Sequence, residues 1–189
     1  MSNTYGTDAV GRVLVWQDLI NHNKKGTDLE KIRLVTDFFN AVPYHTDQEV
    51  WHVANYWANP LEFLGKYAGD CEDYAIAKYL TLKAMGVSPD KMRIVYVVSK
   101  KLNAPHMILA YYETNHAEPL ILDNMTPQIL YASDRPDLKP VYMFSEDAIW
   151  MTDGNAAPKE VISGSQILAW KQLIMRMQNA GLPEDDLKP

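Results

Sequence analysis

The chain has 189 residues, with 18 basic and 24 acidic side chains and a net charge of −6. That length fits one compact domain able to bury its own core, and a 47% hydrophobic share excludes a disordered chain. The acidic balance argues against nucleic acid as a partner, and no apolar run approaches the ~18 residues of a membrane span, so peptides, small molecules and cations remain.

The opening residues Met1 to Gly6 show no basic-then-apolar leader, which fits a cytoplasmic protein or a chain whose targeting segment has been removed. Val10, Val13, Leu14, Trp16, Leu19 and Ile20 recur at helical spacing. After a polar break, Thr27 with Glu30 makes a capping box for a second helix, whose stripe is Leu29, Ile32, Val35, Phe38, Phe39 and Val42 and which Pro43 ends. A third helix is expected from Thr46 or Asp47, carrying Val50, Trp51, Val53, Ala54 and Trp57 and closed by Asn59-Pro60. Gly65 to Gly69 reads as a loop. From Cys71 to about Met85 the residues are apolar almost all round, which places this helix in the centre of a domain, with Gly86 as its C-terminal stop.

The pattern then turns to strands. They are the segment from Arg93 to Ser99, His106 to Tyr112, Pro119 to Asn124 and Val141 to Phe144, with an antiparallel meander as the economical arrangement. Ser165 begins a last amphipathic helix with Ile167, Leu168, Trp170, Leu173, Ile174 and Met177. Residues 1–7 and 181–189 read as loose tails on a single domain spanning 1–189. Helices first and strands later, without alternation, give an α+β fold in which one buried helix packs on an antiparallel sheet.

Cys71 is the only cysteine, so it can form neither an internal disulfide nor a cysteine-rich zinc site. It is either a small buried hydrophobe or a nucleophile. At the first turn of the buried helix, behind Asp70 as N-cap, its thiol meets unpaired backbone N–H groups and the positive helix end, which favour the thiolate. A nucleophilic thiol needs a base and the base an orienting acid. His106 and Asp123 can serve if their strands form a hairpin turning between Thr114 and Asn115. Ile108 then faces Ile121, Leu109 faces Leu120, and His106 directly faces Asp123. A one-residue slip would separate the two side chains onto opposite faces. His22, His45, His52 and His116 read as structural or exposed.

Asp70, Glu72 and Asp73 surround the thiol and, as like charges, oppose its ionisation. They either complement the helix dipole or hold a hard divalent cation. Calcium suits carboxylate and carbonyl oxygens, and the stretch from Tyr56 to Tyr67 can supply carbonyls.

The block Gly69-Asp-Cys-Glu-Asp-Tyr-Ala-Ile-Ala-Lys-Tyr79 resembles the bacterial transglutaminase-like cysteine proteases of the LapG type. The resemblance continues through Asp37 to Asn40, Asp47 with Trp51, Tyr56 to Pro60, Ala104 to Tyr112, Pro119 to Asn124 and Arg135 to Tyr142, and so covers most of the chain. It implies a papain-like reaction on a transglutaminase-like fold, with Cys71 as nucleophile, His106 as base, Asp123 as orienting acid, and Asp70, Glu72 and Asp73 linked to Ca2+. It further implies a periplasmic endopeptidase. The family cuts the N-terminal region of a large cell-surface adhesin beside a paired-alanine motif, releasing adhesin and biofilm. An inner-membrane cyclic-di-GMP receptor of the LapD type sequesters the protease through its periplasmic domain. Two other functions fit the same residues: a transglutaminase-like acyl transferase, and a non-catalytic calcium-responsive binding module. Exposed aromatics such as Trp150 are candidates for the receptor surface.

Overall fold

The computed structural model describes residues 2–114, 116–146, 148–151, 159–163 and 168–179. Helices α1 (Ser2–Tyr5), α2 (Thr7–Asn23), α3 (Asp28–Asn40), α4 (Asp47–Val50), α5 (Pro60–Lys66) and α6 (Cys71–Ala84) come first. Strands β1 (Met92–Ser99), β2 (Ala104–Tyr111), β3 (Leu120–Leu122), β4 (Leu130–Tyr131), β5 (Leu138–Phe144), β6 (Ala148–Met151) and β7 (Lys159–Ser163) follow, and α7 (Leu168–Asn179) is last among the described residues. The architecture is α+β and of the papain/transglutaminase-like type.

α6 is the organising element because its sequence offers water almost no face. Every residue from Asp73 to Leu82 is buried. The helix packs against α3 and α5 on one side and against β2 and β1 on the other. It ends as the sequence predicts: Gly86 adopts φ +86°, a left-handed conformation open to glycine, and its N–H donates to Lys83 O at 2.8 Å. Ile76, at 0% exposure, lies in the middle of this packing. Ile76→Ala is expected to cost about 2–5 kcal/mol of unfolding free energy, read as a lower urea midpoint at unchanged slope.

α3 starts where the capping box places it. Thr27 N–H donates to Glu30 Oε2 at 2.8 Å, and Glu30 N–H donates to Thr27 Oγ1 at 3.3 Å. Its stripe is buried at Ile32, Val35 and Phe39, whereas Leu29 at its N-terminal end is 54% exposed.

The third predicted helix is replaced by two short ones. α4 is a single turn, broken beyond Trp51 by His52 at φ +60°. The Asn59-Pro60 pair begins a helix instead of closing one. Asn59 Oδ1 accepts the Glu62 N–H at 2.9 Å, Glu62 accepts the Asn59 N–H in return, and Pro60 occupies the first helical position, where its missing N–H costs nothing. Gly65, expected in a loop, therefore lies within α5.

The sheet runs β4-β3-β2-β1-β5-β6-β7 and every pairing in it is antiparallel. β1, β2 and β3 form the expected meander, but β5 returns to the other side of β1. The meander therefore stops at β3–β4. Strands β4, β6 and β7 are additional to those read from the pattern. The β2–β3 register pairs Leu109 with Leu122, Ala110 with Ile121 and Tyr111 with Leu120. This corrects the expected register by two residues, so His106 and Asp123 are not directly opposite. An even shift preserves side-chain parity, and the two stay on the same face. Ser165 and Ile167, assigned to the last helix, and the tail 181–189 lie outside the described residues.

Candidate active site

His106 sits near the start of β2, and Asp123 follows the last residue of β3. Both are buried, at 3% and 1% exposure. The His106 Nε2 donates to Asp123 Oδ1 at 2.8 Å. The same oxygen accepts the Met125 N–H at 2.9 Å, and Oδ2 accepts from Arg135 Nη2 at 2.8 Å. Burial works against the ionised acid, but the hydrogen bonds and charges of His106, Met125 and Arg135 outweigh it and hold the Asp123 carboxyl down to about 2. An ionised carboxylate can only accept, so Nε2 carries the proton and Nδ1 is the free ring nitrogen. Asn40, at the end of α3, donates through Nδ2 to the Asp123 carbonyl at 2.9 Å and ties this corner to the helical layer.

Cys71 is the first residue of α6. Its Sγ donates to Glu72 Oε2 at 3.0 Å and also lies against the Met107 backbone N–H, the residue after His106. Among the described residues the imidazole is not a hydrogen-bonding partner of the thiol. Burial first, and then the Glu72 and Asp70 carboxylates, push the thiol up from its ordinary value. The helix-end argument for a low thiol value is thus outweighed here by desolvation and like charge.

The acidic residues beside the thiol form a denser cluster than their spacing suggests. Asp47, Asp70 and Asp73 each present an oxygen within 4.8 Å of the others, and an oxygen each of Asp70 and Glu72 lies within the same distance of the Cys71 sulfur and of each other. Asp73 is fully buried; Oδ1 accepts the Ala58 N–H at 2.7 Å and Oδ2 the Asp70 N–H at 3.2 Å. Asp47 Oδ2 accepts the Tyr56 N–H at 2.6 Å. The stretch beginning at Tyr56 thus meets these aspartates with N–H donors. Burial and then neighbouring carboxylates raise Asp70, and Asp73 rises well above the usual carboxylate range with burial as the main cause. Asp47 is pushed up to about 6, again mainly by burial. Among the described residues, Asp47 Oδ1 and Asp70 Oδ1 are buried without a hydrogen-bond partner. Carboxylate oxygens crowded this closely are the donor set a hard divalent cation takes, and among the described residues no histidine joins the cluster, which disfavours zinc. Gly69 leaves room for this arrangement, since a Cβ there would collide with Asp73 Oδ2 and the Phe63 ring.

A family model for the bacterial transglutaminase-like cysteine proteinases matches residues 17–143. The chain belongs to this family. Among solved structures, EGTA-treated LapG of Legionella pneumophila is 40% identical, with a TM-score of 0.83 and 93% of each chain covered. The calcium-bound form of the same protein has a TM-score of 0.81 at 40% identity, covering 93% of this chain and 94% of that one. A search of curated proteins finds no match. The proteinase is therefore of the LapG type, and its family supports cysteine-protease chemistry at the single thiol.

Two residues of this proteinase were missed as site candidates. Asp47 reads locally as the first residue of a helix behind the Thr46–Glu49 cap, and only the fold carries it to Asp70 and Asp73. Arg135 lies in a turn and reaches Asp123 through tertiary contact alone. Trp150 does not offer a free ring: it is half-buried, with the Arg93 guanidinium 4.2 Å from its ring centroid. His45 lies 3.7 Å from Glu49, and His22 Nδ1 bonds Asp18 O at 2.8 Å, local contacts that suit the structural roles expected of them.

Proposed function

We propose that the protein is a calcium-dependent cysteine endopeptidase with Cys71 as nucleophile, His106 as general base and acid, and Asp123 as the acid that orients the ring. The observation that carries the reading is the buried His106–Asp123 hydrogen bond, made by the residue adjoining the Met107 N–H that meets the thiol. Asp123 fixes the tautomer that leaves Nδ1 able to take the thiol proton. The Cys71 sulfur then attacks the scissile carbonyl, and the Cys71 N–H at the helix start is placed to donate to the developing oxyanion. His106 protonates the leaving amine, and afterwards activates water to hydrolyse the thioester.

Asp47, Asp70, Glu72 and Asp73 are the residues that would hold calcium. When bound, calcium would supply positive charge beside the thiol and offset the like charge of the carboxylates. The likeness to calcium-bound LapG supports this assignment.

The family resemblance extends the proposal to substrate, place and partner. One domain acts in the periplasm and cuts the N-terminal region of a large cell-surface adhesin beside paired alanines. A LapD-type cyclic-di-GMP receptor sequesters it through a periplasmic domain, so the nucleotide itself does not touch this chain. Among the described residues no helix is long and apolar enough to cross a membrane. A peptide carrying a paired-alanine motif, incubated with calcium and an added primary amine, tests the reading. Two carboxyl- and amino-terminal fragments identify a peptidase, and an amide to the added amine identifies an acyl transferase. His106→Ala should lower kcat by at least about 10³-fold, because members of a catalytic unit fail together. Wild-type turnover by that variant would reject the assignment of His106.

A further inference from the structure

The Asp123 carboxylate is more heavily engaged than a residue that only orients a ring requires. Its side chain is at 0% exposure, and one of its two oxygens is given over to Arg135. Arg135 is itself buried, at 8% exposure. Asp137 grips it from the other side, with Oδ1 on Nε at 3.0 Å and Oδ2 on Nη2 at 2.9 Å. One nitrogen, Nη2, thus bridges two carboxylates. The turn that carries it is pinned to the β1–β2 hairpin. Lys100 N–H donates to Asp137 O at 2.8 Å, Lys100 Nζ donates to Pro136 O at 2.9 Å, and Leu138 N–H donates back to Arg135 O at 3.0 Å. The chain His106–Asp123–Arg135–Asp137 therefore runs without a break from the imidazole to a fixed turn.

We infer that Arg135, braced by Asp137, is a positioning residue that holds the Asp123 carboxylate in register with His106 and sets the basicity of that imidazole.

The inference rests on the catalytic assignment of His106, but its physical content is separable from it. A carboxylate this deeply buried demands compensation, and among the described residues Arg135 is the only cation hydrogen-bonded to it besides a protonated His106. With the guanidinium in place, the pull of Asp123 on an imidazolium is partly cancelled. Without it, the full negative charge faces the ring and the imidazolium is favoured. Asp137 has the reverse influence, since its charge offsets part of that of Arg135. The other charged groups acting on this pair are Lys101 and Asp134, which line the same cavity of about 240 Å³ with Asp137, and the buried Lys78 of α6, whose charge also acts on Asp123. Through Met107, the ring also adjoins the thiol and its neighbouring Glu72. None of these groups changes when Arg135 is replaced.

The test combines nitrogen-15 NMR titration of the His106 ring, assigned with His106→Gln, with steady-state cleavage of the paired-alanine peptide by the calcium-loaded full chain. In Arg135→Gln the imidazole titration should move upward by about one pH unit, and in Asp137→Asn it should move downward, since a charge of opposite sign has been removed. kcat should fall by about 10–100-fold in Arg135→Gln with KM unchanged, because the loss is one of alignment. Arg135→Lys should restore the titration but only part of kcat, since an ammonium lacks the planar fork that serves two carboxylates. An unmoved titration in both Arg135→Gln and Asp137→Asn would overturn the inference whatever the cleavage assay shows. If Arg135→Gln does not fold, the downward shift expected in Asp137→Asn decides the inference, with Arg135→Lys as the variant that keeps the charge and the titration. An inactive wild type with the predicted titration shifts would instead overturn the protease reading and leave the tuning of the ring standing.

Discussion

Cys71→Ala is expected to abolish cleavage of a paired-alanine peptide while leaving the circular dichroism spectrum and thermal midpoint close to those of wild type. The loss should be on the order of 10⁶-fold in kcat, the scale at which removal of a nucleophile leaves only binding and oxyanion contacts. Folding should survive because little of the fold depends on the sulfur. Cys71 is half-buried, its thiol bonds the adjacent Glu72 and the Met107 N–H, and alanine suits a helix better than cysteine does. The substitution also removes a group that burial and two carboxylates disfavour as an anion, so any change in stability should stay within about 1 kcal/mol. Mass spectrometry of the peptide over a full day supplies the dynamic range. Cleavage within tenfold of wild type would end the nucleophile assignment.

The parts of this site legible in the sequence are those set by local rules. The start of α3 could be read at Thr27 and Glu30, and the end of α6 at Gly86, because a cap or a left-handed glycine acts within a few residues. The burial of α6 followed from its lack of any polar face. The His106–Asp123 contact was found through a register two residues in error. It was found because strand parity, which decides the face, is insensitive to an even slip. What could not be read was convergence across distance. Asp47 and Asp73 are 26 positions apart in the chain, and Asp123 and Arg135 are 12 apart with β4 between them. Nothing in the local pattern of either pair announces the contact. The Asn59-Pro60 pair shows a different failure. Asn and Pro mark both the end of one helix and the start of the next, and the distinction lay in Glu62, whose side chain completes the cap.

Calcium is expected to raise the thermal midpoint by about 10 °C, and EGTA to reverse the rise together with cleavage. A ligand at a thousandfold excess over its dissociation constant stabilises by about 4 kcal/mol, and each kcal/mol moves the midpoint of a chain this size by about 2–4 °C. The carboxylates give the effect a second, independent signature. Burial, followed by neighbouring charge, raises Asp70 and Asp73 and brings Asp47 to about 6. A carboxyl whose folded value lies above its unfolded value favours folding while protonated, and that contribution disappears as pH rises through the folded value. In EGTA the midpoint should therefore fall as pH rises from about 5 towards 8. With calcium bound, the same carboxylates are ionised and compensated, and the slope should flatten. Asp47→Asn separates cation binding from general stabilisation, because it removes one member of the crowded cluster. The variant should be at least as stable as wild type in EGTA and should gain much less from calcium. Equal midpoints in calcium, magnesium and EGTA across that pH range would remove the cation from the site. If Asp47→Asn retained the full calcium gain, Asp47 would be excluded as a ligand, and the site would reduce to the carboxylates beside the thiol.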